Sequence, residues 1–143
     1  MPEALEAGTL NAHGLAGLAA GVDYVAKRGV ADIAAHEAAL AARLEDALAD
    51  VSAVKRYGGG GDAGRAGIVA LNVGELDSAV VADYLATEWD ICTRAGAHCA
   101  PLMHEALGTA EQGAVRVSFS PFTTVEEVDA CAEALRAAAR DMA

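Results

Sequence analysis

Apolar residues recur along this chain with two different periods, and the change of period divides it into elements. Leu15, Leu18, Val22 and Val25 stand three and four apart, the stripe of an amphipathic helix that Gly29 ends. A second helix is predicted from about Val30 to Val51, with Ile33, Leu40, Leu44, Leu48 and Val51 inward. The texture then shifts. Val54–Tyr57 reads as a short strand, a glycine-rich loop follows, and Ile68–Val73 is a β-branched run suited to a strand. Asp77 or Ser78 can cap a helix carrying Val81 and Leu85, and Asp90–Arg94 reads as another short strand. A loop leading into a short helix comes next. Ala114–Phe119 then alternates, with Val115, Val117 and Phe119 on one face and Arg116 and Ser118 on the other. Thr124 and Glu127 have the spacing of a capping box, and Val125, Val128, Ala132, Leu135 and Met142 stripe the last helix. The order predicts an α+β, two-layer domain: a small, mainly antiparallel sheet with helices packed on one face. The 143 residues show no internal repeat and no dividing linker, so the prediction is one domain.

Composition narrows the function classes. Hydrophobic residues make up 54% of the chain, much of it alanine, which suits close-packed helices. The formal net charge is −11 and the basic residues are scattered, which argues against a nucleic-acid partner. No run approaches the roughly 18 uninterrupted apolar residues of a membrane span, and the first residues lack a signal-peptide progression, so no membrane association is expected and the expected location is cytoplasmic. The cysteines are Cys92, Cys99 and Cys131, an odd number without a disulfide framework.

Gly59, Gly61 and Gly64 satisfy G-x-G-x-x-G, but that loop runs into a strand. A dinucleotide fingerprint needs it to open a helix, so a hairpin connection is the better account. Chemistry concentrates instead between Thr93 and Thr109, where Arg94, His98, Cys99 and His104 fall within eleven positions. A thiol near Arg, His and a helix start ionises more readily, and Arg94 offers a planar fork for a carboxylate. Cys92, His98, Cys99 and His104 could be counted as zinc ligands, but their spacing matches no common knuckle. Adjacent His98 and Cys99 are also awkward to aim at one ion, so no metal is expected. Cys131 falls on the inward side of the last helix, as an inert buried thiol. Cys92 shares a face with Arg94, with core packing its favoured role.

These residues resemble the C-terminal part of the class V aminotransferase superfamily, in its cysteine desulfurase and selenocysteine lyase group. The signature Arg-x-Gly-x-His-Cys-Ala stands here as Arg94, Gly96, His98, Cys99 and Ala100. The continuation PLMHEALGT, the later GAVRVSFSPFTTVEEVD and the early EAGTLN are also similar to the family, in order and spacing. Thr123 stands where the family often has Asn. The resemblance implies the small domain of a fold-type I pyridoxal 5'-phosphate enzyme, residues 1–12 being a connecting segment. It implies that Cys99 attacks the sulfur of L-cysteine, or the selenium of L-selenocysteine, leaving alanine and a persulfide. Arg94 and His98 would bind substrate, and Gly8 and Thr9 would reach the cofactor phosphate of the neighbouring subunit in a homodimer. A sulfur-acceptor protein is the implied partner. The family's cofactor lysine follows a His in its large domain, a context that neither Lys27 nor Lys55 has. The large domain is therefore expected to precede Met1, and the chain alone is expected not to turn over. The competing expectation is a dimerisation or binding module of the same fold without catalysis.

Overall fold

The computed structural model describes residues 8–58 and 66–143. The glycine motif Gly59, Gly61 and Gly64 lies outside the described residues. By contact density the chain divides into two compact units, residues 1–33 and 34–143.

The first unit holds helix α1, Ala12–Arg28. Asn11 caps it by accepting the Gly14 N–H at 2.9 Å, and Gly29, at φ 89°, ends it. The predicted stripe forms, but none of its side chains is buried: Leu15, Leu18, Val22 and Val25 are all exposed.

Helix α2, Val30–Ala47, starts in the first unit and supplies its buried residues, Leu40, Ala41 and Leu44, to the second. It stops a turn earlier than predicted, although Leu48 beyond it remains in the core. The rest of the second unit runs β1 (Val54–Tyr57), β2 (Ile68–Val73), α3 (Ser78–Trp89), α4 (Pro101–Leu107), β3 (Val115–Ser118) and α5 (Val125–Asp141). The strands form one antiparallel sheet in the order β1-β2-β3, with Val54 opposite Val73 and Leu71 opposite Val115. That register puts Val69, Leu71, Val73, Val115 and Val117 on one face, where they meet Leu44, Val81, Leu85, Val128 and Leu135 of the helices. Each fully buried Leu or Val contributes about 1.5–3 kcal/mol, so this layer carries the fold. The two-layer α+β architecture is as the alternation predicted.

Local signals decide the helix ends. Asp77 caps α3 through the Ala79 N–H, and Thr124 and Glu127 close a reciprocal capping box on α5. Arg43 grips Asp129 with two hydrogen bonds, joining α2 to α5 and holding the Asp129 carboxyl below its usual range. Both side chains are half exposed, so this pair adds little stability.

The predicted strand Asp90–Arg94 does not form. Asp90 is the left-handed cap of α3 at φ 55°, and the Ile91 N–H is spent on the carbonyl of Leu85. Helix capping thus takes the first part of the segment. What remains is a bridge between Arg94 and Arg116, continued by Gly96 and Ala114. No described helix is long and apolar enough to cross a membrane.

Candidate functional site

The segment from Thr93 to Thr109 is pinned at both ends. Arg94 and Arg116 exchange backbone hydrogen bonds, as do Gly96 and Ala114, and the Gly96 N–H also reaches the Ser78 hydroxyl. At the far end, α4 closes on the left-handed Gly108, and the Thr109 N–H reaches the His104 carbonyl at 2.8 Å. Gly113 packs against this crossing so closely that a Cβ there would lie 2.5 Å from Ser78 Oγ and 2.9 Å from Gly96 Cα.

Between the two anchors the chain makes an unusual turn. His98 (φ 51°) and Cys99 (φ 59°) are consecutive non-glycine residues in the left-handed region. Each such residue costs about 1–2 kcal/mol, so local contacts must hold them there. One is visible: His98 Nε2 lies 3.0 Å from the Arg94 carbonyl, and since a carbonyl only accepts, Nε2 carries the proton. The turn leaves Cys99 exposed, with Arg94 Nη2 donating to its Sγ at 3.8 Å. Arg94, His98 and Cys99 are therefore assembled as one cluster.

In the sequence Arg116 is the outward residue of an alternating strand and carries no sign of a role in the site. It is joined to Arg94 through the backbone, and its Nε is buried without a hydrogen-bond partner among the described residues. An arginine between two core valines is the local signal for that burial.

His104 is not exposed to the cluster's surface. It is 1% exposed, with Nδ1 2.8 Å from the buried Thr109 Oγ1. Cys92 is exposed rather than packed in the core, because its segment pairs with the sheet only from Arg94 onward. It lines a cavity of about 400 Å³ with Trp89, Phe119, Glu127 and the buried Cys131, and Arg94, His98 and Cys99 take no part in that lining. Burial pushes the Cys131 thiol from 9.0 up to about 11, which makes it a poor nucleophile. Among the described residues no group of three or more His, Cys, Asp or Glu side chains could hold a metal ion.

Gly8 and Thr9 lie in the first unit, exposed in a bend ahead of α1. Nothing lies within 4 Å of a Cβ added at Gly8. Lys27 is in the last turn of α1, and Lys55, on β1, holds its ammonium 5.1 Å from the Tyr57 ring centre.

The family model for aminotransferase class-V matches residues 1–131. The cysteine desulfurase of Haloferax volcanii is 35% identical over 138 residues, covering 96% of this chain and 32% of that protein. A probable cysteine desulfurase of Pyrococcus abyssi is 38% identical over 128 residues, covering 90% of this chain and 31% of that protein. The apo structure of a cysteine desulfurase from Thermococcus onnurineus superposes with a TM-score of 0.90 at 34% identity, over 99% of this chain and 34% of that one. The cysteine desulfurase CsdA of Escherichia coli, in its S-sulfonic acid form, gives 0.81 at 30% identity, over 94% and 32%. The chain thus spans about a third of the length of the relatives it matches.

Proposed function

The chain belongs to the aminotransferase class-V family, and from that premise we propose that it is the small-domain part of a cysteine desulfurase in which Cys99 accepts the substrate's sulfur. The observation that carries this is an exposed thiol held in a left-handed turn, 3.8 Å from the Arg94 guanidinium. In the proposed step the Cys99 thiolate attacks the sulfur of L-cysteine. A sulfur–sulfur bond forms as the carbon–sulfur bond breaks, leaving a persulfide on Cys99, and the carbon skeleton takes up a proton to leave as alanine. Arg94 and Arg116 offer guanidinium groups for the substrate carboxylate, and His98, fixed on the Arg94 carbonyl, shapes the turn that substrate meets. L-selenocysteine would be handled by the same thiol. The persulfide would then pass to an acceptor protein.

Pyridoxal phosphate is the cofactor of this family, and in the whole enzyme it supplies the electron sink. The described residues suit only its rim. The amide of Gly8 and the hydroxyl of Thr9 would serve the phosphate of the neighbouring subunit in a homodimer. Neither Lys27 nor Lys55 follows a His, as the family's cofactor lysine does, and Lys55 is engaged with Tyr57 on β1. The isolated chain is therefore expected to show neither stable pyridoxal absorbance nor cysteine turnover.

The test is a chimera in which this chain replaces the matching third of the Haloferax volcanii desulfurase. With excess dithiothreitol supplying the two electrons that release the persulfide sulfur as sulfide, alanine and sulfide should form from L-cysteine and stop in Cys99→Ala; full activity in that variant rejects the assignment. If the chimera does not assemble, the isolated chain is offered a small-molecule persulfide. A mass gain of one sulfur atom at Cys99 supports the reading, and labelling that ignores Cys99 rejects it. A second reading, a dimerisation or binding module without catalysis, draws on the exposed apolar stripe of α1. Such a module would be indifferent to Cys99→Ala.

A further inference from the structure

His104 is a buried imidazole with a polar cost that simple space-filling does not require. Nδ1 meets Thr109, but Nε2 is buried with no hydrogen-bond partner among the described residues. An apolar side chain of similar volume would fill the site without that penalty. The ring has a second contact. It lies against the ring of His98, centroids 5.7 Å apart and planes tilted by 56°. His98 is the left-handed residue that precedes Cys99 and donates to the Arg94 carbonyl. A continuous set of contacts thus runs from Thr109 through His104 and His98 to the two residues whose guanidinium and thiol meet.

We propose that His104 is a positioning residue for Cys99, its ring holding His98 in the one orientation that keeps the left-handed turn and the Arg94–Cys99 contact. The two contacts of His104 have separate duties: the hydrogen bond to Thr109 serves the fold, and the ring contact serves the thiol. Substitution should separate them. His104→Asn places an amide where Nδ1 stood, keeping a partner for Thr109 and losing the ring. His104→Phe keeps the ring and leaves the buried Thr109 hydroxyl without that partner.

The proposal rests on the reading of the Cys99 turn as the site, so its test reads turn geometry rather than sulfur transfer. The 143-residue chain is alkylated with iodoacetamide, and the rates at Cys99 and Cys92 are followed by peptide mass spectrometry. Cys92 is exposed but lies outside the turn, so it serves as the internal reference. His104→Asn should lower the Cys99-to-Cys92 rate ratio by about fivefold, the scale of one exposed charge-assisted contact. His104→Phe should keep the ratio while lowering the thermal midpoint. His98→Ala should lower the ratio as far as His104→Asn does, and combining the two should lower it no further. An unchanged ratio in folded His104→Asn overturns the proposal, as does an equal loss in His104→Phe. Should His104→Asn fail to fold, His104→Phe decides: a kept ratio with a lowered thermal midpoint supports the ring contact, and a lowered ratio overturns it. If Cys99 never accepts sulfur yet these ratios hold, the functional reading fails and the positioning role stands.

Discussion

Replacing Cys131 with Ala should remove a specific loss of stability in alkaline solution. The thiol sits in the core, 4% exposed, among the buried residues of α5 and the sheet. Burial disfavours the thiolate and raises the thiol from 9.0 to about 11. Between those values the unfolded chain gives up a proton that the folded chain keeps. The burial of a neutral thiol therefore stabilises fully below the unfolded value, and that stability is lost as pH rises through the folded one. Integrating the linkage, the native chain should lose about 1 kcal/mol through this group between about pH 8 and about pH 10, with a limit of about 3 kcal/mol at higher pH. Other ionisable groups of the chain contribute to both proteins alike. The informative quantity is therefore the difference between parent and Cys131→Ala, in which their contributions cancel and the cost of the small cavity is independent of pH. Urea unfolding at the two pH values measures it. With a slope of about 1–3 kcal/mol per molar urea, the excess shift in midpoint is about 0.3–1 M. Equal losses in parent and variant would refute the reasoning, because they would mean that the thiol ionises as freely in the fold as out of it.

Other outcomes follow from the anchors of the site. Thr124→Ala breaks the capping box of α5 and should cost about 1 kcal/mol in urea unfolding, leaving the alkylation rate of Cys99 unchanged. Gly113→Ala combines a residue at φ 68° with a Cβ 2.9 Å from Gly96 Cα. It should cost more than the roughly 1–2 kcal/mol of the left-handed conformation alone, and it should also alter Cys99 reactivity, since Gly96 begins the turn. Arg94→Ala removes the guanidinium beside Sγ, and alkylation of Cys99 relative to Cys92 should fall by up to about fivefold. Leu135→Ala empties a fully buried position and should cost about 2–5 kcal/mol by the same unfolding assay.

Cys131 and Cys92 show how differently two cysteines can be read. The place of Cys131 was legible because helical period alone puts it between Val128 and Leu135, and the core follows that period. Cys92 was read as a core-facing strand residue, yet it is exposed. Its segment contains strand-forming residues, but pairing depends on what the neighbouring backbone leaves open, and the cap of α3 had already used its first residues. Arg116 is the same lesson from the other side of the bridge. Its strand and face were predicted, whereas its junction with Arg94 is a contact between residues 22 positions apart and has no local signal.

By itself the sequence determined what depends on neighbours along the chain: β1 and β2 to the residue, the caps of α3 and α5, and the inward faces of α2 and α5, apart from Val125, which was read as inward and is exposed. Period and capping are properties of a few consecutive residues, so they survive without knowledge of the fold. The tertiary structure alone decided that the apolar stripe of α1 stands exposed, that the predicted fourth strand reduces to a bridge, and that His98 and Cys99 occupy a left-handed turn. Those outcomes depend on distant partners. Ser78 and Ala114 anchor one end of the turn and Thr109 the other, and only their meeting brings the Arg94 guanidinium to the Cys99 thiol.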